Sequence, residues 1–280
     1  MIFDYILSQQ TEIKLSDLKY VFISAAIYAV YRVIINETLL KPLSNFVTEK
    51  NRYKFVHRGF DCFHYIICSI IGIIAFSQRR YGHCPFYFLN CENYIQCTGV
   101  FMCTVLEKIY FFIFASYYIS DVLWIKTTKD IPILIFHHSV TIGMIVLSVI
   151  VARPIIGMSI MLLHDIVDLF LYTGKITSYL EIKKLSNFSF ITFAALFFYL
   201  RLFGCASIIY IICFKDKTEQ PHHYWGYVIA RTLFCFLYCC HLLWGIQIVK
   251  AILKIFKGDK IHDTRSDKAD NKNVCKEKNQ

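Results

Sequence analysis

The chain has 280 residues, of which 56% are hydrophobic, 17% aromatic and only 18% charged. Ordinary soluble domains are about 45–50% apolar, so these values exclude a water-soluble globular domain and point to a polytopic membrane protein. The net charge of +10 resides between the apolar runs and at the C-terminus, which argues against nucleic-acid binding and assigns the basic residues to membrane topology and anionic headgroups.

Residues 1–17 mix polar and apolar side chains, with no basic stretch leading into a short apolar core. A cleaved signal peptide is therefore not expected, and the first apolar run reads as a retained signal anchor. Seven apolar stretches follow, each near the roughly 20 residues that a bilayer requires. They run Leu18–Leu40, Phe60–Ser77, Thr98–Trp124, Ile131–Val151, Pro154–Leu180, Asn187–Phe214 and Tyr224–Phe256. Backbone groups in lipid must be satisfied within the segment, so the expected fold is an all-α bundle. Pro132 and Pro154 stand at span starts, where a missing amide hydrogen is harmless.

Orientation follows from the connections. The linker Lys41–Arg58 is basic, Lys126 and Lys129 lie in the third connection, and Lys183 and Lys184 in the fifth. Alternate loops are poorer, holding Arg79–Arg80, Arg153, Lys215 and Lys217. The positive-inside rule places the tail in the cytosol and the N-terminus in the lumen. Asn36-Glu-Thr38 and Asn187-Phe-Ser189 match the glycosylation pattern, but both fall on the cytosolic side and are discounted. The tail from Gly258 is polar, charged and expected to be disordered.

Of the twelve cysteines, Cys62, Cys68, Cys103, Cys205, Cys213, Cys235, Cys239 and Cys240 lie in apolar runs, where a thiol behaves as a small hydrophobe. No CxxC pair indicates zinc. Cys84, Cys91 and Cys97 share one loop and allow one disulfide there.

The chemistry concentrates in the fourth and fifth spans. His137, His138 and Thr141 lie in one, and His164, Asp165 and Asp168 in the next. An ionisable group at the bilayer centre costs about 2.5–3.5 kcal/mol on insertion scales, so packing does not account for them. His137 and Thr141 are four apart, as are His164 and Asp168, and Lys175 follows seven beyond Asp168. These spacings make one polar stripe per helix. Ser148 continues the first stripe. The short connection at Val151–Pro154 makes the two helices antiparallel neighbours whose stripes face each other.

An imidazole held by a carboxylate can accept a proton from an amine, or attack an activated acyl group. Both uses fit acyl transfer. Metal binding is the rival chemistry, but the spacing matches no zinc signature and no metal is expected. A purely structural role as interhelical hydrogen bonds, worth about 0.6 kcal/mol each, fits a lone histidine better than six polar groups on consecutive helices.

These stretches, IPILIFHHSVTIGMIVLS and MLLHDIVDLFLYTGKITSYL, resemble the longevity-assurance motif of ceramide synthases within the TLC-domain family. Further elements agree with that resemblance: YYISDVLW upstream, Tyr199-Leu-Arg201-Leu in the sixth span, Cys240-His241-Leu-Leu-Trp244 in the last, and Asp263-Thr-Arg265-Ser266-Asp267 in the tail. Together they cover about Lys54 to Asp267.

The resemblance implies a TLC-type helical bundle. On that reading residues 1–17 are a lumenal segment, 18–53 the first transmembrane helix and cytosolic linker, 54–257 a six-helix TLC domain, and 258–280 the cytosolic tail. It also implies transfer of a fatty acyl group from acyl-CoA, as co-substrate, to the amine of a sphingoid base, with no bound cofactor. The implied catalytic residues are His137, His138, Asp165 and Asp168. His137 would attack the thioester or deprotonate the amine, and His138 would position or shuttle the proton. The two aspartates would orient imidazole. Thr141, His164, Lys175, Arg201 and His241 would support them. Implied partners are acyl-CoA, a sphingoid base, membrane lipids and a second copy or relative in a dimer.

The sequence departs from the family pattern in lacking a homeobox-like insert, and in reading His57-Arg58-Gly59-Phe60 where a Trp-Arg region is expected. The loop Lys215–His223 occupies the place where relatives influence acyl length. Lys276-Glu-Lys278 resembles a dilysine retrieval signal, consistent with the endoplasmic reticulum. The alternatives are a non-enzymatic TLC-domain protein that binds lipid or regulates its composition, and a proton-coupled transporter. The latter is disfavoured by the lack of an inverted repeat.

Overall fold

The computed structural model describes residues 6, 9–77, 79, 82–84, 86, 102–127, 131–215 and 224–256. Seven helices in it are long and apolar enough to cross a membrane: Leu15–Phe46, Glu49–Ser77, Val105–Ile125, Pro132–Ile150, Pro154–Tyr179, Lys183–Phe214 and Tyr224–Leu253. The all-α, multi-pass expectation holds, with differences at three boundaries.

The second span begins at Glu49 rather than Phe60. Most of the basic linker expected at 41–58 is helical, because Lys41–Leu43 and Ser44–Phe46 prolong the first span. Hydropathy misses these turns, since Lys, Arg and Glu are good helix formers whatever their polarity. Phe55 is buried beside Val47 and Tyr179, which packs the connection down.

The third span begins at Val105 rather than Thr98, because Thr104 and Glu107 form a capping box. The Glu107 amide donates to Thr104 Oγ1 at 3.2 Å and the Thr104 amide to Glu107 Oε2 at 2.7 Å, satisfying two otherwise orphaned donors. The buried Glu107 carboxylate also pairs with Arg79.

Directly before this cap, strand β2 (Met102–Thr104) pairs antiparallel with strand β1 (Gln10–Glu12), Gln10 lying opposite Thr104. Lys108 Nζ adds bonds to Asp17 at 2.8 Å and to the Glu12 carbonyl at 2.7 Å. The segment before the first span is thereby tied to the start of the third. Cys103 on β2 is fully buried, and burial together with the Glu107 charge pushes its thiol up to about 12. It remains a neutral packing group.

Two tight turns order the later spans. Ala152 and Glu181 adopt left-handed backbone, at φ 58° and 61°. Each closes the preceding helix with a pair of carbonyl-capping bonds, Arg153 N to Ser148 O at 2.8 Å and Ile182 N to Thr177 O at 2.9 Å. This is the Schellman pattern.

The fifth span is the most enclosed, with 67% of its apolar window buried against 17% for the first. It feeds both major core clusters. Met158, Met161 and Leu162 pack with Phe60, Tyr110 and Phe114 on one side, while Leu163 and Val167 pack with Phe197, Phe234 and Leu237 on the other. The polar groups of this span are thus held between the two halves of the bundle. Eight described cysteines are free thiols, as expected of apolar-run cysteines. Cys84 is disulfide-bonded. Cys91, Cys97, the loop 216–223 and the tail motifs lie outside the described residues.

Candidate active site

Spans four to seven bring the two expected stripes together. The ring of His137 lies 6.4 Å from that of His164 and 5.1 Å from the indole of Trp244, centroid to centroid. His164 and His241 touch through their Nε2 atoms at 2.8 Å. His164 Nδ1 faces the Ile160 carbonyl at 2.7 Å. A carbonyl only accepts, so His164 carries its proton on Nδ1, and His241 donates from Nε2.

Arg201 enters from the sixth span, where Phe197–Gly204 is π-helical. Such widened turns displace side chains from the regular helical phase and recur at functional sites. Its guanidinium binds Asp168 Oδ2 at 2.5 Å and donates to the His164 carbonyl at 3.0 Å. Asp165 is fully buried and accepts from the Tyr110 hydroxyl at 2.6 Å.

The expected role of the two aspartates needs correction. Neither Asp165 nor Asp168 hydrogen-bonds a histidine among the described residues; Tyr110 takes Asp165 Oδ2 and Arg201 takes Asp168 Oδ2. The carboxylate on an imidazole is Asp121. Its Oδ2 meets His138 Nε2 at 3.1 Å, while His138 Nδ1 faces the Leu134 carbonyl at 3.0 Å. Lys175 sets its Nζ over the Tyr172 ring at 5.7 Å. Ser148 bonds back to the Ile145 carbonyl beside Gly157, further down the helix.

Asp121 belongs to a buried network that periodicity within one helix does not reveal. Arg32 bridges Asp121 at 2.5 Å and Asp61 at 3.0 Å. Asp61 also receives Arg58 and the Tyr117 hydroxyl, each at 3.2 Å. The YYISDVLW stretch contains Asp121. The available signal was a lone acid at the end of an apolar helix.

Against these committed groups, a few polar atoms are left over. His137 forms no hydrogen bond among the described residues, and the buried Thr141 Oγ1 and Asp165 Oδ1 have no partner. Thr141, Tyr118 and His164 line a narrow cavity whose other walls are mainly apolar: Phe114, Met144, Ile145, Met161 and Leu237. Its volume is about 30 Å³, room for one or two waters. His137 itself is not in that lining; it lies one turn from Thr141 and 6.4 Å ring to ring from His164, and an uncommitted imidazole is suited to attack on, or deprotonation of, a substrate that reaches it.

A family model described as TLC domain matches residues 54–250. The chain is 26% identical over 226 residues to ceramide synthase LOH1 of Arabidopsis thaliana, covering 76% of this chain and 73% of that protein. It is 28% identical over 222 residues to ceramide synthase 4 of Bos taurus, covering 76% and 54%. With sphingosine N-acyltransferase lag1 of Schizosaccharomyces pombe it shares 23% over 261 residues, covering 86% and 65%.

Proposed function

This chain belongs to the TLC-domain family, and from that premise we propose that it is a sphingoid base N-acyltransferase using acyl-CoA. Relatives named as ceramide synthases and as a sphingosine N-acyltransferase support this reading. The observation that carries it is His137, a buried imidazole with no hydrogen-bond partner among the described residues, one turn from Thr141 and 6.4 Å ring to ring from His164, two residues that line the cavity.

In this reading a His137 ring nitrogen attacks the thioester carbonyl. The carbon–sulfur bond breaks, the thiolate of coenzyme A takes the N–H proton from the other nitrogen of the acylated ring and leaves as the thiol, and a neutral acyl-imidazole remains. The sphingoid amine then attacks that acyl group. The bond to imidazole breaks, and the amine proton passes to the released ring. His138, fixed at both nitrogens, positions its neighbour. The Asp165–Tyr110 and Asp168–Arg201 pairs hold the fifth span, and with it His164, against the third and sixth. No bound cofactor takes part. A fatty chain does not fit a slot of about 30 Å³, so substrate entry requires the lining spans to part. The chain would work in the endoplasmic reticulum membrane with its C-terminus in the cytosol, where acyl-CoA is supplied and basic residues meet its phosphates.

The test is purified protein in detergent, incubated with an acyl-CoA panel and sphinganine, with N-acyl product read by mass spectrometry. Product that disappears in His137→Ala, while that variant still accumulates in membranes, supports the reading. Normal activity in His137→Ala would overturn the assignment of the nucleophile. No product with any acyl-CoA from folded wild-type protein would favour a lipid-binding, non-enzymatic role.

A further inference from the structure

The first span lies outside the matched domain at 54–250 and is the least buried of the seven. Its outer face, with Phe22, Ile23, Ile27, Val30 and Ile34, is exposed and apolar. Its inner face is different. Val21, Ala25, Arg32, Asn36 and Leu40 are buried, and their spacing of about four forms one helical stripe.

Three polar clamps fix that stripe to the second and third spans. Ser24 Oγ meets Ser116 Oγ at 2.5 Å, the Tyr28 hydroxyl meets His64 Nδ1 at 2.6 Å, and Arg32 bridges Asp61 and Asp121. The first two would suffice to dock the helix. The third reaches the paired histidines. Asp121 is shared, Oδ1 taken by Arg32 Nη1 and Oδ2 by His138 Nε2.

We propose that Arg32, from the span outside the TLC match, is a positioning residue for the histidine pair, acting through Asp121 on His138. The inference rests on the function proposed above. Several features place it beyond docking. Arg32 is only 2% exposed, and its guanidinium is sandwiched between the Phe60 and Trp124 rings, at 4.9 and 4.7 Å from their centroids. A planar fork held in this way fixes the direction as well as the position of both carboxylates. Asp121 in turn sets the plane of the His138 ring, whose other nitrogen is on the Leu134 carbonyl. His137 is the next residue, so the orientation of the pair follows from Arg32. A lysine is a point charge with no fork, and it cannot reproduce two directed bonds to acids on different helices.

The experiment compares Arg32→Ala and Arg32→Lys with Ser24→Ala and Tyr28→Phe, which break the other clamps of the same stripe. Arg32→Ala is expected to lose about 10- to 100-fold in kcat, by analogy with the loss seen when the outer partner that orients a metal-ligating histidine is removed, with KM for acyl-CoA little changed. Arg32→Lys should not recover it, and guanidinium ion added to Arg32→Ala should recover part. The double variant Arg32→Ala/Asp121→Asn should lose no more than the larger single loss. A readout independent of turnover is diethyl pyrocarbonate modification of His138, located by tandem mass spectrometry. It should be slow in wild type, slow in Tyr28→Phe and fast in Arg32→Ala. Wild-type kcat in Arg32→Ala would overturn the proposal. So would a loss matched by Tyr28→Phe and tracking melting temperature across all variants, or unchanged His138 reactivity. If the wild type itself makes no product, the proposed function fails while the modification arm still reads the coupling.

Discussion

Arg201 and Asp168 offer a perturbation whose size follows from their surroundings. Their side chains are 6% and 11% exposed and meet at 2.5 Å. Replacing one member of a buried pair strands the other, at about 3–5 kcal/mol. Arg201→Met should therefore destabilise the fold by about 4 kcal/mol. At roughly 2 °C per kcal/mol for a chain of this length, the midpoint in detergent falls by about 8 °C. The double variant Arg201→Met/Asp168→Leu replaces the pair with apolar groups, which is often neutral or stabilising, and should return the midpoint to near wild type. Acyl transfer should remain lost in both, because Arg201 also holds the His164 carbonyl. Thermal unfolding and product formation on the same samples check all of this. A double variant as unstable as the single one would refute the reasoning.

Two further outcomes follow from the backbone and the cavity. Ala152 takes the left-handed backbone at the end of the fourth span, a conformation costing an L-residue about 1–2 kcal/mol; Ala152→Gly should therefore raise the melting midpoint by about 2 °C or more without changing turnover. Phe114 is buried in the cavity wall, so Phe114→Ala should shift the product profile towards longer acyl chains. Mass spectrometry of products from a mixed acyl-CoA pool reads this, and an unchanged profile would remove this cavity from the acyl path.

How much of this could be read in the sequence depended on the distance over which each signal acts. Hydropathy is local, and it located all seven spans. It failed at residues 49–58, where charged side chains ride on a continuous helix. Helical spacing is also local, and it aligned His137 with Thr141 and His164 with Asp168. Resemblance, rather than spacing, brought in Arg201 and His241, which lie 37 and 77 residues from His164 and bond to it. Nothing local marks Arg32 as the partner of Asp121, 89 residues away. Nor does periodicity show that Tyr110 would take Asp165. The error in assigning carboxylates to imidazoles came from the same cause. Neighbours along one helix were paired, while the actual bonds run between helices.

The arrangement of charge bears on why one imidazole is left uncommitted. Arg32, Arg58, Asp61 and Asp121 tie together the first three spans, and Arg201 with Asp168 ties the fifth to the sixth. Pairs buried in this way contribute little net stability over apolar packing, so their value lies in fixed direction. The fourth span runs between these two frames and has no acidic, lysine or arginine side chain from Pro132 to Ile150. Among the described residues, the only bond from its histidine pair to either frame is His138 to Asp121. His137 is then held in place by its neighbour and by packing against Trp244, with no hydrogen-bond partner among the described residues. A nucleophile needs an available lone pair in a fixed direction, and a neutral helix anchored at the adjacent residue supplies both. An acid placed directly on His137 would draw one ring N–H to itself and so turn the ring and reset which nitrogen carries the lone pair. A variant such as Thr141→Asp, one turn from His137 and in the cavity lining, should therefore reduce acyl transfer by redirecting that lone pair, even where it leaves the fold intact.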